Sequence, residues 1–358
     1  MTKLSASRIK TAQSCSWLYH AKYKLKLPDT SNDGASRGTV CHNILELLAK
    51  TGRYSYYQTI IKAKDVFAIP SIKRLILLYA RNLGVADEEN MTLIKSMMLK
   101  GILYDFHGKA LGKPTRSFSE KHFEITINEG DKKYRINGFI DKLFLYNDSK
   151  IAVIRDFKTS KQVFKGKDKT DNLQDLMYSL AVKHLYPKYN QRRTEFLFLK
   201  FNLEPDLLGE PGPGVLEMSP LSDEELEGFE YQLSAIQTYL DDFDDEAAVS
   251  NFAGSQKYPS DGTFGGPLMC GKDGPKMRRG KPLLDDKGNE IPAYICAFRK
   301  PFKYYALYTA DNILKKTAFL ENKGELVAIQ KEGELIKKEE YTGCPYWNRD
   351  VVPDEFTL

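Results

Sequence analysis

The chain has 358 residues, 42% hydrophobic, 28% charged and 12% aromatic, a composition that excludes fibrous, disordered and membrane-embedded classes and allows about two domains. Its 53 Lys and Arg against 48 Asp and Glu leave a net charge of +5, too small to decide for or against a polyanionic partner. Five cysteines scattered over the chain exclude a secreted disulfide framework, and neither an apolar leader nor a stretch of ~18 apolar residues is present, so a reduced, cytoplasmic protein with no membrane partner is expected.

The charge is segregated. The first sixty residues carry nine basic and three acidic side chains, whereas Ser222–Glu246 carries ten acidic and no basic ones. A basic face attracts a phosphate backbone, and a solvated surface explains it equally well. Ser5 or Ser7 can cap a helix running through Ile9, Ala12, Trp17 and Leu18 toward Leu25, ended by Pro28. Helical patterns follow from about Arg37 to Lys50, over Ile69–Asn82 and over Glu88–Leu103, so the first hundred residues read as largely α.

From Phe118 the texture becomes β. The runs Phe123–Ile127, Tyr134–Ile140, Leu143–Tyr146 and Ile151–Ile154, broken by the Asn128-Glu-Gly-Asp and Asn147-Asp-Ser turns, read as consecutive antiparallel strands. Asn172–Leu185 reads as a helix and Glu195–Phe201 as a buried strand, and the succession predicts a mixed α/β sheet. Ser222 and Glu225 form a capping box before the stripe Leu226, Phe229, Leu233, Ile236 and Leu240. Gly254–Lys287, rich in Gly, Pro and Lys, reads as a long loop, and its Lys276–Lys281 stretch could hold DNA or stay solvated. Three regions are expected: a helical N-terminal region over 1–110, a core over 111–220, and a C-terminal helix with insertion and extension over 221–358.

A two-residue hairpin loop at Asp148-Ser149 would place Asp141 directly opposite Asp156, a destabilising pair of like charges unless something compensates. A divalent cation does so, because two carboxylates are hard oxygen ligands that leave positions open for water and phosphate. Period-two alternation puts Lys158 on the face of Asp156, where its ammonium can stabilise charge on a phosphate. A solvent-facing Asp/Lys ladder gives the same pattern. Gly38, His42 and Glu46 stand four residues apart on one helix face, and neutral imidazole is a common metal ligand.

In order along the chain, Leu4-Ser-Ala-Ser-Arg-Ile-Lys with Cys15-Ser-Trp-Leu-Tyr, Gly38-Thr-Val-Cys-His42 with Glu46, Glu120 ahead of a strand, Gly138-Phe-Ile-Asp141, Ile154-Arg-Asp156-Phe-Lys158 and Gln174-Asp-Leu-Met-Tyr178 resemble the motifs of the PD-(D/E)XK nucleases, and within them the RecB-like exonucleases. Each motif is weak alone; their shared order carries the resemblance, which covers about residues 4–200. It implies a restriction-endonuclease-like α/β core with a mixed sheet flanked by helices. It also implies metal-dependent DNA exonuclease activity in recombination, repair or replication, with Mg²⁺ or Mn²⁺. His42, Asp141, Asp156 and the Phe157 carbonyl would be metal ligands, Glu120, Asp141, Asp156 and Lys158 catalytic groups, and Gln174 and Tyr178 substrate contacts. Expected partners are single-stranded or end-resected DNA and a recombinase, annealing protein or single-strand-binding protein, in a bacterial or phage-infected cell. A non-catalytic nucleic-acid scaffold and a structure-selective endonuclease are the alternatives.

Many RecB-like exonucleases hold an iron-sulfur cluster on one N-terminal and three closely spaced C-terminal cysteines. Here Cys15 resembles the first, and only Cys296 of Ala293-Tyr-Ile-Cys296-Ala-Phe remains of the others. Cys270 and Cys344 could complete a set of four at spacings foreign to the family, whereas lone cysteines are commonly small buried hydrophobes.

Overall fold

The computed structural model describes the chain except residues 31, 167–168, 170, 257–269, 272–273, 279, 285–287, 292, 294 and 349–358. The predicted first helix is broken. Helix α1 (Ala6–Ser14) stops at Cys15, whose extended backbone and thiol cap α2 (Ser16–Tyr19), with a π-helical turn over His20–Lys24 beyond it. A thiol that accepts the Leu18 N–H offers the backbone an alternative to continuing the helix.

Helix α3 (Asp33–Ala49) starts four residues before the expected point because the Asn32 side chain accepts the Ala35 N–H and caps it. Helix α4 (Tyr54–Ala63) was not predicted: Ile60 is its one buried residue, and Tyr56, Tyr57 and Ile61 are only partly covered against the same core. Helices α5 (Pro70–Asn82) and α6 (Glu88–Leu103) match the predicted spans closely, with Pro70 in the first turn of one and the Asp87 cap on the other. Val40, Ile44 and Leu48 of α3 pack with Ile72, Ile76, Ile94 and Met98, and this cluster continues onto the sheet at Phe157, Leu197 and Leu199.

Strands β1 (Arg116–Glu129), β2 (Lys132–Tyr146) and β3 (Ile151–Lys158) are antiparallel neighbours. After α7 (Leu173–Leu185), β4 (Gln191–Phe198) runs parallel to β3, and β5 (Val215–Glu217) closes a five-stranded mixed sheet of order β1-β2-β3-β4-β5. Helix α8 (Asp223–Asp241) has the predicted box, Glu225 N–H donating to Ser222 Oγ and Ser222 N–H to Glu225. Leu226, Phe229, Leu233 and Leu240 of its stripe are buried. The mixed sheet flanked by helices is the architecture expected from the sequence.

Beyond α9 (Asp245–Val249), much of the Gly254–Lys287 segment lies outside the described residues, but β6 (Met277–Arg278) and β7 (Lys281–Pro282) pair as a short hairpin within it. Strands β8 (Phe302–Tyr308), β9 (Leu314–Phe319) and β10 (Leu335–Tyr341), with α10 (Lys323–Val327), form a three-stranded sheet of order β10-β8-β9. Two compact units result. The first joins Met1–Ala6 to Ser31–Asp241, with Leu4 bridging β2 at Ile136; the second joins Ser7–Thr30 to Asp242–Leu358. Trp17, Ala21 and Leu27 of the second unit's early segment pack with Phe298 and Tyr341 of its late one. No helix among the described residues is long and apolar enough to cross a membrane.

Candidate active site

The β2–β3 ladder runs from Tyr146↔Ile151 to Lys142↔Arg155 and then stops. The turn is therefore four residues, Asn147–Lys150, rather than two, with Lys150 at φ 57°, but the register is the predicted one. The next opposed residues are Asp141 and Asp156, where the ladder ends. Asp141 Oδ2 instead accepts the Phe157 N–H at 2.7 Å and lies 3.2 Å from His42 Nδ1 on α3.

The β1–β2 ladder is interrupted at the same place. Ser119↔Lys142 and Lys121↔Ile140 are paired, and between them Glu120 takes a φ of 48°, a left-handed conformation that non-glycine residues rarely adopt. Glu120 thus lies within a strand rather than ahead of one, opposite Asp141. Its carboxylate, that of Asp141 and the His42 imidazole bring ligand atoms within 4.8 Å of one another.

Asp156, 3% exposed, sits beside this group and is held by another set of side chains. Its Oδ2 is 2.7 Å from Lys158 Nζ, while Oδ1 accepts from Gln174 Nε2 at 2.8 Å and from the Tyr178 hydroxyl at 2.9 Å. Lys158 Nζ also donates to Gln174 Oε1 at 2.6 Å. One turn of α7 carries both Gln174 and Tyr178, with Asn172 capping the helix through the Gln174 N–H.

The electrostatics report too much negative charge. Burial, with Asp141, Glu46 and Asp156 nearby, pushes Glu120 up to about 7. Burial and Asp141 also push Asp156 upward against the pull of Lys158. At His42, burial opposes the cation, but Asp141, Asp156 and Glu120 outweigh it and hold the imidazole at about 9. Three carboxylates drawn together across adjacent strands and an imidazole within ligand range suit a divalent cation in chemistry and in sign.

The sequence model of the PD-(D/E)XK nuclease superfamily matches residues 3–251, well over half of the chain. The chain belongs to the PD-(D/E)XK nuclease superfamily. No curated protein is significantly similar. A solved structure titled "Crystal structure of SSO0001" is similar at 14% identity over 64% of this chain and 87% of that one, with a TM-score of 0.21, a likeness too slight to argue from.

In this nuclease the structure gathers His42, Glu120 and Asp141 in one group and Asp156, Lys158, Gln174 and Tyr178 in a second beside it. Tyr178 is buried, with its hydroxyl committed to Asp156. Reading Glu120 as an acid ahead of a strand missed its close approach to His42, because no motif spacing signals a residue with positive φ inside a ladder. Cys41 is buried beside His42 in sequence, and burial pushes its thiol up to about 12, which makes it a core side chain rather than a nucleophile.

In the second unit, Cys15, Cys270, Cys296 and Cys344 line a single cavity of about 90 Å³ together with Trp17, Phe298 and Trp347. All four are free thiols. Cys296 N–H donates to the Cys270 carbonyl at 3.0 Å, which fixes two of the four segments to each other. Burial, and then the neighbouring cysteines, raises Cys296 and takes Cys344 up to about 12.

Proposed function

We propose that this nuclease is a metal-dependent DNA exonuclease. The carrying observation is the His42, Glu120 and Asp141 group standing beside the Asp156–Lys158 pair. A divalent cation there supplies Lewis-acid charge to a phosphate and acidifies water. His42, Glu120, Asp141 and Asp156, with the Phe157 carbonyl, are its ligands in this reading, and Mn²⁺ serves at least as well as Mg²⁺ because imidazole joins the oxygen donors. Lys158, aimed by Asp156 and Gln174, stabilises charge developing on the phosphoryl oxygens. Gln174 and Tyr178 fix Asp156 and Lys158 relative to one another; Gln174, half-exposed, also faces substrate. Exonucleolytic cutting, a DNA substrate and a place in recombination, repair or replication with a recombinase, annealing or single-strand-binding protein rest on the likeness of the motif order to RecB-like exonucleases. The proposed cytoplasmic setting rests instead on the free, scattered cysteines, and a phage-infected host on the chain's small form.

The test is digestion of end-labelled linear and covalently closed DNA, single- and double-stranded, with Mg²⁺, Mn²⁺ or EDTA. Metal-dependent loss of linear DNA alone is expected. Cutting of circles would move the protein to the endonucleases, and tight binding without cleavage under either metal would make it a scaffold.

The four thiols fit an iron-sulfur cluster better than a single ion. Four thiolates at ~2.3 Å from one zinc stand roughly 3.8 Å apart, whereas among the described residues no three of these sulfurs come within 4.8 Å of one another. Thiolates around a shared cavity at wider spacing suit a polynuclear centre, and we propose Cys15, Cys270, Cys296 and Cys344 as its ligands. Protein purified without oxygen is expected to be brown and to contain iron and acid-labile sulfide, and Cys296→Ser to lose both. Colourless, iron-free protein with four alkylatable thiols would remove the cluster.

A further inference from the structure

Two positions along from the Glu120/Asp141 pair, His122 of β1 stands opposite Phe139 of β2, with ring centroids 4.9 Å apart and planes inclined at 46°. Both side chains are exposed. Phe139 is 52% open, the one phenylalanine among the large exposed hydrophobics of the described residues. Farther along the same face of β2, Leu143 and Leu145 are fully covered, so burial is available on this face of the strand. The open phenyl ring, on the same strand face as Asp141, offers an apolar surface beside the carboxylates.

We propose that His122 and Phe139 form a stacking platform for the nucleobase next to the phosphate held at His42, Glu120 and Asp141. This rests on the nuclease reading and adds a substrate-positioning element to it. Two residues of strand place the pair roughly 7 Å from the carboxylates, a distance one nucleotide bridges. Every base presents a π-face, so an aromatic platform holds the strand without choosing its sequence. With planes inclined at 46° the rings are not stacked face to face, and the phenyl ring, 52% open, can receive the ligand.

The test uses single-stranded oligonucleotides, intact or with one abasic unit moved stepwise along the strand. Binding is read by fluorescence anisotropy in Ca²⁺ and cleavage by product formation in Mn²⁺, for wild type, Phe139→Ala and Phe139→Trp. Loss of one stacked base corresponds to roughly 5- to 150-fold in affinity. Phe139→Ala is expected to weaken binding and raise KM by a factor in that range with kcat nearly unchanged, and Phe139→Trp to restore both. An abasic unit at one position beside the cleaved bond should weaken wild type by a similar factor and leave Phe139→Ala unaffected. Unchanged affinity of Phe139→Ala for the intact strand overturns the platform whatever the cleavage result. Failure of wild type to cleave any DNA overturns the nuclease reading instead, and binding still decides the platform.

Discussion

Lys158→Ala is expected to slow cleavage by about 10²–10³-fold, the usual loss when one preorganised donor to a developing negative charge is removed. The ammonium is held by Asp156 Oδ2 at 2.7 Å and Gln174 Oε1 at 2.6 Å, so its aim is set before substrate arrives and little reorganisation remains. Gln174→Leu should show the same dependence at one remove: Lys158 and Asp156 both lose a partner, and misplacement by about 1 Å can itself cost about 10²-fold. The loss should fall on kcat, while Mn²⁺ affinity, measured calorimetrically, changes little. Asp141→Asn should lose metal affinity as well, since Asp141 is the carboxylate that His42 and the Phe157 N–H both reach. Full activity in Lys158→Ala would remove the assigned role of this lysine.

Arg155→Ala is expected to destabilise the first unit by about 3–5 kcal/mol, the typical cost of breaking a buried ion pair from one side. Arg155 is 3% exposed; its Nε is 2.5 Å from Glu195 Oε1, and its Nη1 donates to the Asp105 carbonyl at 2.6 Å. Without the guanidinium, Glu195 keeps its desolvation, which already pushes its carboxyl upward, and loses the partner that opposes it. Asp105, already 3.6 Å from Arg155 Nη2, loses its partner too. Urea denaturation followed by circular dichroism measures the loss. Replacing both members, as Arg155→Met with Glu195→Leu, should restore most of it, because an apolar pair of similar volume avoids the desolvation altogether. A loss below about 1 kcal/mol in the single variant would mean that water reaches the pair.

Much of this was readable from the chain because the local signals agreed with the fold. The Ser222/Glu225 box marks its helix in sequence as in structure, and the apolar periodicity of Glu88–Leu103 gives that helix its observed span. The opposition of Asp141 and Asp156 followed from turn position alone, and held although the turn is longer than expected, since widening a hairpin loop by one residue on each side leaves the register intact. What was not readable depends on backbone exceptions and on distance in sequence. Glu120 reaches His42 through a positive φ that no residue pattern announces. Helix α1 breaks at a cysteine, a residue with no reputation as a cap. Tyr178 was expected, with Gln174, to contact substrate, and nothing in their spacing shows that the sheet brings Asp156 under its hydroxyl and buries it. Convergence of Cys15 with Cys270, Cys296 and Cys344 is a property of tertiary packing, invisible to spacing rules written for closely set ligands.

The second unit is assembled from two pieces of chain with the first unit threaded between them. During synthesis, Ser7–Thr30 leaves the ribosome early and then waits while about 210 further residues are made, ~10–40 s at about 5–20 residues per second. Through that interval Trp17, Ala21 and Leu27 lack the Phe298 and Tyr341 surfaces they finally pack on, and the thiol of Cys15 has none of its later neighbours. The first unit has all its strands and helices by Asp241 and can close meanwhile. The nascent polypeptide thus still carries a sticky, thiol-bearing segment after the first unit has closed, which makes chaperone engagement and premature oxidation of that segment the hazards of its biogenesis.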